Sequence, residues 1–260
     1  MGGRFVDIHS HIIHGLDDGS ASLDISLEMV AMAAESGTSD IVATPHANSE
    51  FTYEAALVAE RLAELRAASK AEIGIHCGCD FHLSFQNVQD AIKHPSRYTI
   101  NNRQYLLVEL PSYTVYPNIA AVYQTLMDAG MVPIITHPER NQVVQQDISG
   151  LRTWVESGCL VQITAQSLLG VFGSKAKRFS DDLLAEGLAH FVASDAHDCK
   201  RRPPRLDLAY RYVVDEVGQQ TADLLFINNP ARVLKGLEID FPLSKKAVGK
   251  RRWYERLLGA

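Results

Sequence analysis

The sequence predicts an α/β fold, specifically a distorted (β/α)7 barrel of the TIM type in a single domain. Short apolar runs typical of strands alternate with helical patterns along most of the chain. Histidines and carboxylates follow these runs, as expected where a barrel collects its functional residues at the carboxyl ends of its strands. The alternative is an open doubly wound sheet, which would gather such residues at one switch point rather than from strands spread along the chain.

Seven apolar runs of four to six residues have the length and composition of strands. The predicted strands are residues 5–8, 41–44, 73–76, 105–110, 132–136, 160–163 and 190–193. Helical patterns lie near residues 23–35, 53–70, 119–129, 148–157, 175–186 and 206–217, and a last helix starts at Asn229-Pro230. Gly130, Gly158 and Gly187 follow three of these helices at the position that favours a left-handed cap.

The first predicted strand leads into His9-Ser10-His11. Residues i and i+2 of an extended segment point to the same face, so the two imidazoles converge. One such pair is weak evidence for a metal, because histidine pairs also occur on ordinary surfaces. Five later strand-like runs also end in metal-type side chains, and Asp18 follows the first. The candidate metal ligands are His9, His11, Asp18, His46, Asp80, Glu109, His137, Asp195 and His197.

Nine ligands of mixed nitrogen and oxygen type suit manganese, iron or zinc and exceed what one ion needs. The cluster therefore predicts two or three divalent ions, which would lower the pKa of a bound water and clamp a phosphoryl group. This favours hydrolysis of a phosphate ester. The alternative is that strand-end side chains only cap helices, which can explain single residues but not all nine. The other histidines are expected to pack or face solvent: His14, His76, His82, His94 and His190.

Charge is distributed unevenly along the chain. The net charge is −6, which argues against a general nucleic-acid binder, but residues 245–260 carry +5 and residues 1–244 carry −11. We therefore divide the chain into a barrel, 1–244, and a basic tail, 245–260. Trp253 and Tyr254 lie among the tail's cations, which suits an anionic membrane surface or an acidic partner; a solvated terminus is the alternative.

The chain carries no signal-peptide pattern and no apolar run of the roughly 18–20 residues that span a bilayer. Its four cysteines give no disulfide framework and are expected to be reduced. We expect a soluble cytoplasmic protein, with the basic tail at the inner face of the membrane as a further hypothesis.

Several ordered motifs resemble those of the PHP (polymerase and histidinol phosphatase) superfamily, above all its capsule-associated bacterial protein-tyrosine phosphatases. The motifs are His9-Ser10-His11, Asp17-Asp18-Gly19, Thr44-Pro45-His46, His137-Pro138-Glu139-Arg140, Ser194-Asp195-Ala196-His197 and Arg202-Pro203-Pro204. The resemblance runs from about residue 5 to 217. It implies a distorted barrel with a trinuclear, usually manganese-supported site, and a role opposing tyrosine kinases that regulate capsule or exopolysaccharide assembly.

The resemblance also implies a division of the ligands among three ions. His9, His11 and Asp195 would hold the first, Glu109 and His137 the second with Asp80 as the bridge between these two, and Asp18, His46 and His197 the third. Asp80 departs from the family pattern, which has glutamate in a Gly-Gly-Glu context where this chain has Gly78-Cys79-Asp80. The shorter side chain puts the metal spacing in question.

Arg140 and Arg202 match the family's substrate-handling arginines, and their planar guanidiniums suit phosphate oxygens. The alternative is that an arginine pairs with a neighbouring acid such as Glu139. The resemblance implies hydrolysis of phosphotyrosine in a protein, such as a bacterial tyrosine kinase, by a metal-bound hydroxide. A small-molecule phosphomonoesterase such as a histidinol phosphatase, and a non-catalytic metal-binding regulatory subunit, are the competing hypotheses.

One motif favours a different chemistry. Cys199 and Arg205 have the Cys-x5-Arg spacing of thiol-based tyrosine phosphatases. That mechanism requires a loop of backbone N–H groups around the phosphate, and Pro203 and Pro204 remove two of these donors. We therefore reject the thiol mechanism.

Overall fold

The structure, a computed structural model, describes residues 5–241. Its strands are β1 (Phe5–Ser10), β2 (Thr38–Ala43), β3 (His46–Ala47), β4 (Gly74–Cys77), β5 (Asp80–His82), β6 (Tyr105–Glu109), β7 (Val132–Thr136), β8 (Leu160–Thr164) and β9 (Phe191–Ala193). Its α-helices are α1 (Leu23–Glu35), α2 (Ala55–Ala68), α3 (Phe85–Lys93), α4 (Ile119–Asp128), α5 (Gln142–Gln146), α6 (Ser149–Glu156), α7 (Ala165–Leu168), α8 (Ser174–Glu186), α9 (Asp207–Val217), α10 (Gln219–Asp223) and α11 (Asn229–Lys235).

All strand pairs are parallel, and they form two sheets, β1-β2-β4 and β3-β5-β6-β7-β8-β9. Strand β3 follows β2 after Thr44-Pro45, and β5 follows β4 after Gly78-Cys79, so each couple occupies one strand position with a break in the middle. Proline lacks the N–H that would continue the ladder. The barrel therefore has seven strand positions, and the predicted distorted (β/α)7 fold is confirmed.

The barrel closes between its first and last strands. Ser10 pairs with Ala196, the Asp195 N–H donates to the His9 carbonyl at 2.9 Å, and the His11 N–H donates to the Ala196 carbonyl at 2.8 Å. This closure fixes the residues after β9 beside the end of β1, although 185 residues separate Ser194 from His9.

Alternate residues of the strands pack either inside the barrel or against the outer helices, in three buried clusters. Inward residues such as Ile8, Leu107 and Ile134 form a fully buried cluster inside the barrel, whereas Leu106 and Val108 belong to the cluster beneath the outer helices. This is the period-2 pattern of strands covered on both faces, which explains why they appear in the sequence as continuous apolar runs. The filled interior leaves the carboxyl ends of the strands as the place for a site.

Six of these strands and α-helices were not predicted: β3, β5, α3 and the short helices α5, α7 and α10. The two strands have only two and three residues, too few for a periodic pattern. Helix α3 places Phe85, Val88 and Ala91 at helical spacing but has only nine residues, of which only Ala91 is buried. Its start has a further sequence signal in Ser84, whose hydroxyl accepts from the Asn87 N–H. The basic tail, 245–260, lies outside the described residues. Within residues 5–241, no helix is both long and apolar enough to cross a membrane.

His190 makes the stability of the barrel dependent on pH. Its side chain is fully buried, its Nδ1 accepts from the Val161 N–H at 3.0 Å, and burial lowers its pKa to about 4. In the unfolded chain the pKa is about 6.5, so below that pH the unfolded state takes up the proton first. The stability that neutral His190 contributes is therefore complete above pH 6.5 and is lost as the pH falls towards 4.

We expect the free energy of unfolding to drop by about 2 to 3 kcal/mol more in the wild type than in His190→Gln between pH 7 and 4.5. Urea unfolding in the presence of a chelator measures this difference. Equal pH dependence in the two proteins would contradict the assignment.

Candidate metal centre

The closure between β1 and β9 brings three candidate ligands together at the end of β1. Asp195 Oδ1 lies 3.5 Å from His9 Nε2 and 3.4 Å from His11 Nε2. All three side chains are buried, with at most 2% of the surface exposed. His137 reaches the same place from the end of β7, and its ring stacks on that of His9 at 5.7 Å between centroids.

The loop after β1 adds two aspartates with different positions. Asp17 lies behind His11, where its Oδ2 accepts from His11 Nδ1 at 2.7 Å and from the His46 N–H at 3.1 Å. Asp18 faces the cluster instead, with Oδ1 at 3.4 Å from His46 Nε2 and 3.5 Å from His197 Nε2. The loop can approach this closely because a Cβ on Gly19 would lie 2.2 Å from the His11 carbonyl oxygen.

The breaks in the second and third strand positions supply the other side of the cluster. His46 begins β3, and its Nδ1 lies 3.0 Å from Asp80 Oδ2 at the start of β5. Glu109 ends β6, with Oε2 at 3.5 Å from the same His46 nitrogen and in direct contact with His82 Nε2. Asp80 Oδ2 also lies 3.6 Å from His9 Nε2, so Asp80 stands between the two halves of the cluster.

Hydrogen bonds at the back of the imidazoles fix their orientation. His9 Nδ1 bonds to Gln162 Oε1 at 2.9 Å, His11 Nδ1 to Asp17, and His197 Nδ1 to the Asp195 carbonyl at 3.0 Å. Because these acceptors accept a hydrogen bond from Nδ1–H, each Nε2 faces the interior of the site, where it can bind either a metal ion or a proton. Such support is typical of metal-binding histidines.

Several atoms inside the site lack the partner that burial demands. His9 Nε2 and His11 Nε2 are only 3.3 Å apart, so the two nitrogens need a proton or a cation between or beside them. Both oxygens of Asp80, Glu109 Oε2, His46 Nδ1 and His82 Nε2 are buried without a satisfactory hydrogen bond. Buried polar groups are rarely left in this state. The donor set fits divalent cations, which would satisfy imidazole nitrogens and carboxylate oxygens together.

Four overlapping groups have ligand atoms within 4.8 Å of one another. They are His11-Asp18-His46-His197, His46-Asp80-His82-Glu109, His9-His11-Asp80 and His9-His137-Asp195. All nine predicted residues are present. Asp18, His46 and His197 lie together as the resemblance implies, but His137 groups with His9 and Asp195, while its Nε2 is 3.6 Å from Glu109 Oε1.

His82 belongs to this cluster, and the expectation that it only packs or faces solvent is wrong. It lies on β5 two residues after Asp80, so both side chains point to one face. Asp80-Phe81-His82 repeats the spacing of His9-Ser10-His11, which is the signal that could have identified it. The three-residue strand was too short to draw attention to that spacing.

Protonation in the cluster follows its opposite charges. Burial would lower the pKa of His46, but hydrogen bonds with Asp18 and Asp80 raise it to about 11. Burial would likewise lower the pKa of His11, but Asp17 raises it to about 9. When no metal ion neutralises the carboxylates, these two imidazoles are therefore protonated. A ligand imidazole must be neutral, so metal ions and protons compete for the site.

Two arginines and one carboxylate border the cluster. Arg140 and Arg202 both donate to Asp195 Oδ2, while Glu139 accepts from the Thr164 N–H and the Ser167 hydroxyl and does not pair with Arg140. The arginine side chains remain 24% and 23% exposed, so they can still meet a ligand. Burial would raise the pKa of Asp195, but His9, His11 and the two arginines hold it well below its usual range.

The backbone is strained at two candidate ligands. Among residues 5–241, only four non-glycine residues have positive φ, and two of them are His137 (φ 32°) and Asp195 (φ 52°). This conformation costs on the order of 1–3 kcal/mol and tends to occur at functional sites, where surrounding structure enforces it. Here the backbone hydrogen bond from Asp195 to the His9 carbonyl, which helps to close the barrel, holds Asp195 in place.

The sequence matches the family described as capsular polysaccharide synthesis, CpsB/CapC, over residues 5–235. The chain belongs to the CpsB/CapC family. CapC of Staphylococcus aureus is 36% identical over 202 residues, which cover 76% of this chain and 79% of CapC. Tyrosine-protein phosphatase YwqE of Bacillus subtilis is 35% identical over 227 residues, covering 86% of this chain and 89% of YwqE.

Solved structures of this family share the fold. Crystal structures are known for YwqE of Bacillus subtilis and CpsB of Streptococcus pneumoniae, which are described as metal-dependent tyrosine phosphatases. One chain from these structures superposes on the present chain with a TM-score of 0.85. Its sequence identity is 32%, and the match covers 91% of this chain and 97% of that one. The predicted resemblance to the capsule-associated tyrosine phosphatases is confirmed.

The CpsB/CapC assignment agrees with the state of Cys199. Burial and, to a smaller extent, nearby Glu28 raise the pKa of its thiol to about 11. A thiol nucleophile needs the opposite shift, towards the thiolate. The thiol mechanism is therefore unsuited to this chain.

Removal of the His82 side chain tests whether it belongs to the working cluster. We expect His82→Ala to lower phosphatase activity at limiting metal concentration by about 10- to 100-fold. The reason is that Glu109 loses its imidazole neighbour and the cluster loses a nitrogen donor. His94→Ala is the matched control, since His94 is exposed at the end of α3. The initial rate of each protein is measured as a function of metal concentration. Identical dependence on metal for His82→Ala and wild type would show that His82 is dispensable.

Proposed function

We propose that this protein is a metal-dependent protein-tyrosine phosphatase that hydrolyses phosphotyrosine in a protein substrate. One observation carries the proposal: imidazoles and carboxylates with unsatisfied inward atoms lie beside two arginines that share Asp195. The relatives named tyrosine-protein phosphatases support it.

We assign the ligand roles to the nine predicted residues and add His82. One set consists of Asp18, His46 and His197, with His11 adjacent. Asp80 would link the set around His9 and His11 to the set that includes Glu109. When bound, two or three divalent ions would supply a nucleophile at neutral pH and neutralise phosphate charge. We propose manganese, because the mixed nitrogen and oxygen donors suit it; iron and zinc are the alternatives.

The arginines would bind and orient the phosphoryl group. Each guanidinium has five N–H donors in one plane, so a bond to Asp195 leaves others for phosphate oxygens. Asp195 fixes both planes before substrate arrives, which removes the cost of ordering two long side chains during the reaction. Because charge spreads over the equatorial oxygens in the transition state, these donors would stabilise it more than the ground state.

The leaving group favours tyrosine over an alkyl phosphate. A tyrosine phenol has a pKa near 10, far below that of an alcohol, so the phenolate can depart with little help from an acid. The partly exposed arginines also place the phosphate near the surface, where a residue on a large protein can reach it.

We further propose a bacterial tyrosine kinase of capsule synthesis as the phosphoprotein, in keeping with the family's capsular context. The protein would act in the cytoplasm, with residues 245–260 on the inner face of the membrane because of their charge of +5. Liposome sedimentation of full-length and 1–244 protein tests the tail. Equal sedimentation of both on anionic vesicles would refute its role.

A phosphopeptide assay tests the main proposal. Purified protein should release phosphate from a phosphotyrosine peptide with manganese present and stop after chelation, and Cys199→Ser should retain full activity. Histidinol phosphate should be a much poorer substrate. Metal-independent turnover that Cys199→Ser abolishes would overturn the proposal.

A further inference from the structure

A groove leads from Arg140 along the start of α8. A cavity of about 330 Å³ beside Arg140 is lined by Gln142, Gln145 and Lys175 among others. A neighbouring cavity of about 350 Å³ is lined by the same three residues and continues to Arg178. Each volume lies in the range of roughly 300–1,000 Å³ that is typical of ligand sites. The two cavities therefore form one groove that starts at the candidate phosphate site.

The start of α8 is basic where a helix favours acids. Lys175, Lys177 and Arg178 lie within its first five residues, and its first turn has no acidic residue. The positive end of the helix dipole disfavours cations in the first turn, here Lys175 and Lys177, by about 0.3–1 kcal/mol each. The cap residue Gly173 offers no side chain to compensate.

One of these cations has a structural explanation, and two do not. Lys177 donates to Asp181 at 3.1 Å and contacts the Tyr212 ring. Lys175 and Arg178 have no acidic partner within 4.0 Å in the part of the chain that the structure describes, although Asp182 also lines the outer cavity. Residues that violate a local preference without compensation are expected where function requires them.

Phe172 marks the border between the groove and the arginine pair. Its ring lies 4.7 Å from the Arg140 guanidinium carbon and 5.8 Å from that of Arg202, and it also lines the inner cavity. A chain that passes over this ring therefore leaves the phosphate site and enters the groove beside Lys175.

We propose that the groove binds an acidic segment of the substrate peptide next to the phosphotyrosine, with Lys175 and Arg178 as the residues that determine this specificity. The inference rests on the proposed phosphatase function and adds the substrate's sequence preference. Two uncompensated cations at a helix start, in a groove that opens from the phosphate site, match carboxylates on a peptide.

The test uses three phosphotyrosine peptides of equal length, flanked by aspartates, serines or lysines. We expect Lys175→Glu/Arg178→Glu to lower kcat/KM for the acidic peptide about tenfold, to leave the serine peptide nearly unchanged and to improve the lysine peptide. Activity on para-nitrophenyl phosphate should stay at the wild-type level. Because glutamate suits the start of a helix, the thermal midpoint should not fall.

Lys93→Glu/Arg211→Glu is the matched control, since it makes the same change of charge at exposed positions on α3 and α9. Equal losses on all three peptides, or the same pattern in the control, would overturn the proposal. Fluorescence anisotropy of the labelled peptides on manganese-loaded protein provides a second readout. Absence of para-nitrophenyl phosphate hydrolysis in every form would reject the phosphatase function, whereas unchanged peptide discrimination would reject the groove alone.

Discussion

Asp195→Asn is expected to lower kcat/KM for a phosphotyrosine peptide by about 10³-fold or more. The Asp195 carboxylate lies against His9 and His11 on one side and binds Arg140 and Arg202 on the other. An amide carries no negative charge to balance a cation, and if its oxygen accepts from the two guanidiniums, its NH2 group replaces the Oδ1 that faces His9 and His11. Asparagine tolerates the left-handed backbone at this position, so the substitution removes the charge without adding strain.

Steady-state kinetics with saturating manganese measures this effect, and circular dichroism confirms that the variant is folded. Asp198→Asn is the control, because Asp198 is three residues away and its Oδ1 accepts from backbone N–H groups, a role that an amide oxygen can keep. We expect less than about a threefold change there, as for most exposed substitutions. Similar losses of kcat/KM in both variants would show that the effect is not specific to Asp195 and would contradict its proposed role.

Arg140→Lys and Arg202→Lys are each expected to reduce kcat by about 10²-fold while KM changes much less. Lysine keeps the charge but presents a point ammonium instead of a planar set of donors. It therefore cannot hold Asp195 and a phosphate oxygen in the same geometry. The double variant should lose less than the product of the single losses, since both arginines act on one carboxylate and one phosphoryl group.

Arg205→Lys serves as the control, because Arg205 is half exposed and pairs with Asp207. Single-turnover measurements separate phosphate release from binding. A rise in KM with kcat unchanged would mean that the arginines only recruit substrate, contrary to their proposed role in the transition state.

Most of the seven strand positions were predictable because they contain a run of residues buried on both faces. Val108 faces the outer helices and Leu107 the barrel interior, so both had to be apolar. In the short strands β3 and β5, by contrast, most residues are polar side chains of the site. Apolar patterning could not reveal them, and His82 was missed for that reason.

The nine candidate ligands were predictable as a set, but their neighbours in space were less so. Position at a strand end places His137 in the site, whereas its left-handed backbone decides that it lies beside His9 and Asp195. Likewise, the sequence places Asp80 at the end of a predicted strand position. Its approach to both His46 and His9 depends on the break between β4 and β5.

The central claim is that this cluster binds several metal ions at once. Anomalous diffraction at the manganese edge, from crystals of protein loaded with manganese, tests it most directly. We predict two or three peaks among the clustered side chains, with Asp80 in contact with two of them. A single peak, or peaks that leave Asp80 without a metal, would contradict the account.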